Sequence, residues 1–419
     1  MPIGRLKRMF EGRAPSLSKA GPSPVAIDFG VGSLKVLQVV PGEPPSLVGA
    51  ACLVTPEHLL EDHAKRLQFQ VDQLPGLIRK GGFKGKRAVC AVPASMAFCK
   101  HMQLPRTEGA SMKSLIEAAL PTQLGRPAHQ VVFRYVEAPP PERGVGKSEV
   151  VVTAVGRELV SQMMEGVKAA RLEPVGIHGQ FQAIIRAFDY MYASPEEAEH
   201  TTLYLDIGAG TTNCVIAHGQ RLAFTRDINI GGLALDQTVA KQLKLSFEEA
   251  CKTRRELIYL TASEAAAARD ARPAEPAPNE ASDGSGAEGV SAGGTAVAPA
   301  RTAQLEDLGL KRRGGNRGPD PDLTEALEIM GDEVAMCLRY HGSLYPSRKI
   351  DRAIFVGGEA RSRPLCQHLA KALRLPAQVA DPMARVARAS TSGFPNVDLT
   401  QAQPGWTVPL GLCLCPTDL

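Results

Sequence analysis

One pattern occurs twice in this 419-residue chain and constrains its fold more than any other: an apolar strand, an acidic glycine-rich turn and a second strand. The copies are VAIDFGVGSLK at 25–35 and TLYLDIGAGTTN at 202–213, which share the order Asp-apolar-Gly-x-Gly followed by Ser or Thr. The residues on both sides favour β structure, so each turn joins two strands of a hairpin. Neither the dinucleotide fingerprint nor the GxxxxGK(S/T) loop fits, because both place phosphate at a helix N-terminus.

A pair of such turns can hold a polyphosphate from two sides, since glycine leaves the backbone N–H groups open to close approach. Ser33, Thr211 and Thr212 add hydroxyl donors. Lys35 is either a point charge for a phosphate or an ordinary strand lysine that reaches solvent. The candidate ligand residues of the two turns are Asp28, Gly30, Ser33, Lys35, Asp206, Gly208, Gly210, Thr211 and Thr212.

The two aspartates would repel a phosphate at short range unless a divalent cation lies nearby. Mg²⁺ keeps several waters and takes few protein carboxylates, so Asp28 and Asp206 would hold it through water. Alternatively, each aspartate only caps its own turn. A third glycine turn, Gly357-Gly358, follows a strand at 352–356 and can place a flat ring or a phosphate against backbone, although helix–strand packing also explains it.

The composition is that of a folded chain in a reducing compartment. A hydrophobic fraction of 44% is ordinary for a globular protein, and a net charge of +4 with scattered basic residues gives no reason to expect nucleic acid as a partner. The nine cysteines form no CxxC pair and lack histidines at ligand spacing, which argues against disulfides and a cysteine metal site. No signal peptide or apolar membrane span is recognisable, so we expect a cytoplasmic protein.

Shifts in composition and periodicity divide the chain into seven segments. Residues 95–176 show the pattern strand, helix, strand, strand, helix of a separate small α+β unit. Residues 262–320 are rich in Ala, Pro, Gly and Ser and cannot bury a core, which predicts a disordered insertion. Helices are predicted at 57–80, interrupted near Pro75, and at 177–192. The segments are a disordered leader at 1–22, then 23–94, 95–176, 177–200, 201–261, 262–320 and 321–419.

Long stretches of the chain resemble the PilM family, the cytoplasmic actin-like proteins of type IV pilus assembly within the actin/Hsp70/FtsA ATPase superfamily. The resemblance rests on the two hairpins, on VGGEAR at 356–361 and on the order of four further pieces, and it covers nearly everything except the leader and the insertion. These pieces are LPRTEGASMKSLIEAALPTQLGRPAHQVVFRYV, VVVTAVGRELVSQMMEGVKAARLEPVGI, DINIGGLALDQTVAKQLKLSFEEA and VPLGLCLC.

The resemblance implies a bilobed α/β actin-like ATPase fold of duplicated ribonuclease H-like lobes that binds ATP and Mg²⁺ between them. In these terms 23–94 and 177–200 belong to lobe I. Segments 201–261 and 321–419 belong to lobe II, with the end of the chain returning to lobe I. Segment 95–176 becomes an FtsA-like 1C (SHS2) subdomain. The two hairpins would be the phosphate loops, and the residues that would face the adenosine are Gly357 and Gly358.

The same resemblance implies particular partners. The family has a groove for the short cytoplasmic N-terminal segment of the inner-membrane protein PilN. We therefore expect a PilN-like partner, contacts with other pilus assembly components, and a peripheral position at the inner membrane through these partners, while self-association stays open.

The chain departs from the family pattern at two places. Where the family usually has Ala-Glu-x-x-Lys, with Glu and Lys facing ribose and adenine, this chain has ACKTR at 250–254. An Asp and a Glu before the next helix are replaced by His178 and Gln180. Losing these carboxylates predicts weaker nucleotide binding and leaves no obvious general base. Gln180 or Gln182 could orient a water, although a helix glutamine is more often polar surface, so we expect a slow ATPase at most.

Other functions stay open beside a nucleotide-binding scaffold. A sugar or acetate kinase of the same fold would need a further acidic motif, which is not recognisable. An FtsA-like cell-division protein would be expected to end in an amphipathic membrane helix, unlike the tail at 413–419. A nucleotide-independent adaptor would have a decayed ATP site and only a working peptide groove.

Overall fold

The structure is a computed structural model. The residues that it describes are 21–105, 109–125, 127–142, 147–192, 194–254, 321–388 and 394–417. The predicted leader, apart from residues 21 and 22, and the predicted insertion at 262–320 lie outside the described residues.

The described residues form strands and helices throughout the chain. The strands are β1 (Val25–Phe29), β2 (Ser33–Val40), β3 (Ser46–Val54), β4 (Arg87–Val92), β5 (Phe98–Pro105), β6 (Val131–Glu137), β7 (Lys147–Gly156), β8 (Glu173–Gly179), β9 (Thr201–Ile207), β10 (Thr212–His218), β11 (Arg221–Ile228), β12 (Arg352–Val356) and β13 (Ala377–Val379). The helices are α1 (His63–Lys80), α2 (Met112–Leu124), α3 (Arg157–Ala169), α4 (Gln180–Ala187), α5 (Pro195–Ala198), α6 (Gly232–Leu243), α7 (described over 247–254), α8 (Thr324–Leu344), α9 (Arg363–Leu373) and α10 (Thr407–Leu414). No described helix has the length and apolarity needed to cross a membrane.

Two five-stranded sheets have the same construction. The strand order is β3-β2-β1-β4-β8 in the first and β11-β10-β9-β12-β13 in the second. In each, three strands form an antiparallel meander, and two further strands run parallel to the central one. This repetition confirms the predicted duplicated lobes; we call them lobe I and lobe II. The exact segment boundaries stay predictions.

Each lobe is built around a buried central strand. All residues of β1 and of β9 are buried, which explains why both read as apolar runs interrupted only near their ends. Asp28 and Asp206 lie one residue before the last residue of these strands. The sheets therefore bring both aspartates to the carboxyl ends of central strands, where open α/β sheets bind ligands.

A third sheet forms the small subdomain that the sequence predicted at 95–176. Both strand pairs of this sheet are antiparallel. Its strand order is β5-β7-β6, so β6 lies at an edge of the sheet. The predicted order of strand, helix, strand, strand, helix is confirmed as β5, α2, β6, β7 and α3. Because α3 packs against α1, the subdomain is attached to lobe I by packing as well as by the chain.

The predicted interruption of the first helix near Pro75 is wrong. α1 continues through Pro75 to Lys80. A proline inside a helix costs about 3 kcal/mol. Leu67 and Leu74 of this helix are buried in the core of lobe I, and each such burial contributes roughly 1.5–3 kcal/mol. Packing on one face therefore offsets the proline.

The predicted helix at 177–192 is also wrong in extent. Helix α4 covers only Gln180–Ala187, and the residues before it form β8. β8 pairs in parallel with β4, at the edge of the first sheet. The pairing partner lies about 86 residues earlier in the chain (Arg87 pairs with Glu173), and a local pattern cannot reveal it.

Candidate functional site

A cavity of about 920 Å³ lies between the two lobes. Small-molecule sites commonly have volumes of roughly 300–1,000 Å³. Its wall includes the first hairpin (β1–β2), the second hairpin (β9–β10) and the Gly357–Gly358 turn after β12. The three glycine turns thus meet at one place. The sequence-predicted residues that line the cavity are Asp28, Gly30, Ser33, Lys35, Gln180, Asp206, Gly208, Gly210, Thr211, Gly357 and Gly358.

The turns of the two hairpins approach each other closely. A Cβ added to Gly210 would lie 2.9 Å from Val31 Cγ2, and one added to Gly32 would lie 3.3 Å from Ala209 Cβ. The second hairpin is also anchored to the start of α6, since Leu233 N donates to Ala209 O at 2.8 Å. Glycine at position 210 therefore allows the backbone of the second hairpin to pack against the Val31 side chain of the first.

Gly357 is required by its backbone conformation. Its φ is +92°, a value that other residues rarely adopt. A Cβ there would collide with Ile207 O and would lie 2.6 Å from Asp206 Oδ1. The turn after β12 therefore lies directly against the end of β9 and beside the Asp206 carboxylate.

Two buried carboxylates lie close enough to influence each other. Asp28 is 5% exposed and Asp206 is 9% exposed. Burial raises the pKa of Asp28, while Lys35 and a hydrogen bond from Gln180 oppose this. Burial, and then the charge of Asp28, raise the pKa of Asp206 to about 6, while Asn213 and Lys35 oppose this. Ionising both carboxylates is therefore costly, and a bound cation would offset the cost.

Side-chain amides join these carboxylates across the cleft. Asn213 Nδ2 donates to Asp206 Oδ2 at 3.0 Å and to Gln180 Oε1 at 2.9 Å. Gln180 Nε2 in turn donates to Asp28 Oδ1 at 3.4 Å. Because Gln180 begins α4 of lobe I and Asn213 lies on β10 of lobe II, the amides bridge the lobes. The motif alone assigns Asn213 no role, although its position opposite Asp206 in the hairpin register could have indicated one.

A third carboxylate lies beside this network. Asp227 of β11 is opposite Asn213 in the strand register, so it shares a sheet face with Asn213 and Asp206. Burial, and then the charge of Asp206, raise the pKa of Asp227 to about 7. It does not line the cavity. Its position outside both hairpin motifs explains why the sequence did not reveal it.

Lys35 belongs to the charge balance of the site. It lies opposite Asp28 in the β1–β2 register, is partly buried and lines the cavity. Its charge lowers the pKa of Asp28 and that of Asp206. The position favours the role of a cation inside the site over that of a solvent-facing strand lysine.

Two predicted residues do not reach the cavity. The Thr212 hydroxyl donates to Ile230 O at 2.7 Å and the side chain is fully buried, so it anchors the hairpin to the segment before α6. Gln182 Oε1 accepts from Gly179 N at 3.2 Å and closes the first turn of α4. Of the two candidate glutamines, Gln180 alone lines the cavity.

The departure at 250–254 lies on α7. Cys251 is partly buried and is not part of the cavity wall, whereas Arg254 lines the cavity and is 3% exposed. Burial alone would lower the pKa of Arg254, but its carboxylate partners, Glu359 first and then Asp236, outweigh burial and raise it. This cation is therefore permanently charged and held in place.

No described group of three or more His, Cys, Asp or Glu side chains is arranged to hold a metal ion.

A second, apolar groove of about 100 Å³ lies between the small subdomain and lobe I. Val132 and Tyr135 of β6 form one side, and Ile177 and Phe181 of lobe I form the other. Val132 and Tyr135 are each 36% exposed. As an edge strand, β6 has backbone groups that its own sheet does not use. An extended apolar peptide could add here as a further strand.

Comparisons with known proteins agree with this architecture. The family model described as "Type IV pilus assembly protein PilM" matches residues 26–259, and that of the cell division protein FtsA matches 203–396. No curated protein matches the chain in sequence. Among solved structures, a PilM–PilN type IV pilus biogenesis complex is 19% identical, with a TM-score of 0.67, and the match covers 94% of this chain and 98% of that one.

Two further solved structures are more distant. The ethanolamine utilization protein EutJ from Carboxydothermus hydrogenoformans is 15% identical, with a TM-score of 0.45 and coverage of 95% and 91%. MreB 5 of Spiroplasma citri bound to AMPPNP is 12% identical, with a TM-score of 0.44 and coverage of 94% and 95%.

Proposed function

Because the chain belongs to the PilM family of type IV pilus assembly proteins, we propose that it is an actin-like scaffold that binds ATP with Mg²⁺ between its lobes. In this proposal it also docks the short cytoplasmic segment of a PilN-like inner-membrane protein. One observation carries the nucleotide part: two glycine hairpins, each with a buried aspartate, line a single cavity and are joined by Asn213 and Gln180.

The residues present fit a magnesium nucleotide. Asp28 and Asp206 are buried with raised pKa values, so a divalent cation would find two carboxylates whose ionisation it favours. Bound Mg²⁺ would supply charge neutralisation to the phosphates. Lys35 adds a cation, and the glycines of the turns place no side chain between their backbone and a phosphate in the cavity. The Gly357–Gly358 turn would face the adenosine.

The same amide network argues for slow turnover. Gln180 is the predicted glutamine that lines the cavity and could orient a water. Its carbonyl oxygen, however, accepts a hydrogen bond from Asn213, and its amide donates to Asp28. Both ends of the side chain are therefore engaged, the amide within lobe I and the carbonyl oxygen in the bond that reaches lobe II. We therefore propose that the site binds nucleotide and fixes the lobes, with hydrolysis slow at most.

The apolar groove is the proposed site for the PilN-like segment. Its position also offers a link to the nucleotide, because the small subdomain contacts lobe II as well as lobe I. Thr225 N donates to His101 Nε2 at 3.0 Å, and Tyr345 Oη donates to Pro139 O at 2.7 Å. A change in lobe closure would move β6 relative to the lobe I side of the groove. Through this partner and other assembly components, the protein would be held at the inner membrane.

Calorimetric titration with ATP and Mg²⁺ tests the nucleotide proposal. We expect binding by the intact protein and its loss in Asp206→Ala, whereas Asp332→Ala, an exposed aspartate on α8, should bind as the intact protein does. Absence of binding by the intact protein would favour the nucleotide-independent adaptor instead.

The partner proposal has its own test. A synthetic peptide of a PilN-like cytoplasmic segment should bind the intact protein and lose at least tenfold in affinity with Val132→Asp, because a buried charge is costly in an apolar groove. Ile329→Asp, at an apolar position of α8 that is 49% exposed, is the matched control and should leave binding unchanged. Equal loss in both variants would contradict the groove assignment.

A further inference from the structure

Three separate segments of lobe II converge on one ionic cluster at the edge of the cavity. Arg254 of α7 donates from Nε to Asp236 Oδ1 at 2.5 Å and from Nη2 to Asp236 Oδ2 at 3.2 Å. Its Nη1 donates to Glu359 Oε2 at 2.8 Å. Asp236 lies on α6, and Glu359 follows directly after Gly357 and Gly358. The cluster therefore joins α6, α7 and the glycine turn that faces the cleft.

The cluster holds the Glu359 side chain in one place. The side chains of Arg254 and Asp236 are each 4% exposed, so the guanidinium is fixed by its paired bonds to Asp236. The Glu359 side chain is 19% exposed and lines the cavity, whereas Asp236 does not. Glycine at position 232 makes room, because a Cβ there would lie 2.5 Å from Glu359 Cδ. Glu359 is thus the carboxylate of the cluster that a ligand can reach.

The charge of the cluster limits what it can bind. Two carboxylates and one guanidinium leave one net negative charge on the cluster itself, which disfavours a phosphate directly beside Glu359, while Arg361 and Arg363 line the cavity farther along the same segment. Such an acceptor-rich wall suits hydroxyl or amino donors. A glutamate or aspartate that accepts from a ribose hydroxyl is a common arrangement in nucleotide sites. At position 251, where a ribose-facing glutamate is expected, this chain has a cysteine outside the cavity wall.

We propose that Glu359, held by Arg254 and Asp236, accepts a hydrogen bond from a ribose hydroxyl of the bound nucleotide. It would thus supply the carboxylate that is missing at position 251, where this chain has a cysteine. This inference rests on the proposed binding of ATP. It makes Glu359 a specificity-determining residue: the site distinguishes ribonucleotides from deoxyribonucleotides through a carboxylate on the glycine turn after β12, rather than through one on α7.

The test compares the affinities of ATP, 2′-deoxy-ATP, 3′-deoxy-ATP and inosine triphosphate, each with Mg²⁺, for the intact protein and for Glu359→Gln. A hydrogen bond to a charged group contributes about tenfold or more in affinity. The intact protein should therefore bind ATP about tenfold more tightly than at least one deoxy analogue. Glu359→Gln should reduce this ratio to about threefold or less, because a neutral acceptor makes a weaker bond.

The variant itself reports whether the cleft still folds, since it should bind the disfavoured deoxy analogue as the intact protein does. Glu248→Gln, at an exposed position of α7, is the control and should preserve the full ratio. If intact protein binds no ATP, the proposed function fails. If it binds ATP and the deoxy analogues equally, or if Glu359→Gln keeps the ratio, this inference is overturned while ATP binding stands. A variant that changes only the ratio of ATP to inosine triphosphate would assign Glu359 to the base and also overturn it.

Discussion

Replacing Asp206 with asparagine should abolish magnesium-nucleotide binding and yet stabilise the unliganded protein at neutral pH. Asp206 is 9% exposed, and burial together with Asp28 raises its pKa to about 6 from an ordinary value of 3.8. Between these values the folded protein holds a proton that the unfolded chain has released. Stability is therefore greatest at low pH and is lost as the pH rises through this window.

The pKa difference sets the size of the effect. A shift of about two units, at roughly 1.4 kcal/mol per unit, means that ionised Asp206 costs the fold about 3 kcal/mol above pH 6. An asparagine side chain carries no charge and can still accept the bond from Asn213 with its amide oxygen. Asp206→Asn should therefore gain about 3 kcal/mol at pH 8, and about half as much at pH 5, where the unfolded chain is ionised and the folded protein is mostly protonated.

Urea unfolding without nucleotide, in the presence of a chelator, measures this gain at the two pH values. Asp332→Asn, an exposed aspartate on α8, should change the free energy of unfolding by less than about 0.5 kcal/mol at both. A gain that is the same at pH 5 and pH 8, or a loss of stability at pH 8, would show that burial of the ionised Asp206 carboxylate does not destabilise the fold.

Two further substitutions test the local geometry. Gly357→Ala should destabilise the protein by about 1–3 kcal/mol or more in urea unfolding, because φ is +92° and the added Cβ collides with β9, whereas Gly358→Ala meets open space and should be nearly neutral. Asn213→Ala should raise the pKa of Asp206 further, as followed by carboxyl-carbon NMR, since it removes the bond that lowers that pKa. An unchanged titration would contradict the amide bridge.

The repeated hairpin could be predicted because its determinants are local. The strands on both sides are apolar, the turn residues are Asp and Gly, and their spacing is the same in both copies. A repeated local unit implies a repeated fold, and the two sheets indeed have one strand order. The same reasoning placed Asp28, Asp206 and the Gly357–Gly358 turn, all of which line one cavity.

What the sequence did not reveal depends on contacts between distant segments. β8 forms because β4 offers it an edge, and α1 continues through Pro75 because one face is buried. The role of Asn213 requires knowing that Gln180 of the other lobe lies opposite. Likewise, Arg254 looks like a simple replacement until Asp236 and Glu359 are seen around it.

We propose that nucleotide between the lobes and peptide in the apolar groove both favour one closed conformation of the protein. The most direct test of this proposal is calorimetric titration of the PilN-like peptide with and without saturating ATP and Mg²⁺. We expect tighter peptide binding in the presence of nucleotide and, by thermodynamic reciprocity, the same factor of tightening for nucleotide in the presence of peptide. Identical peptide affinity in both conditions, with ATP shown to be bound, would contradict it.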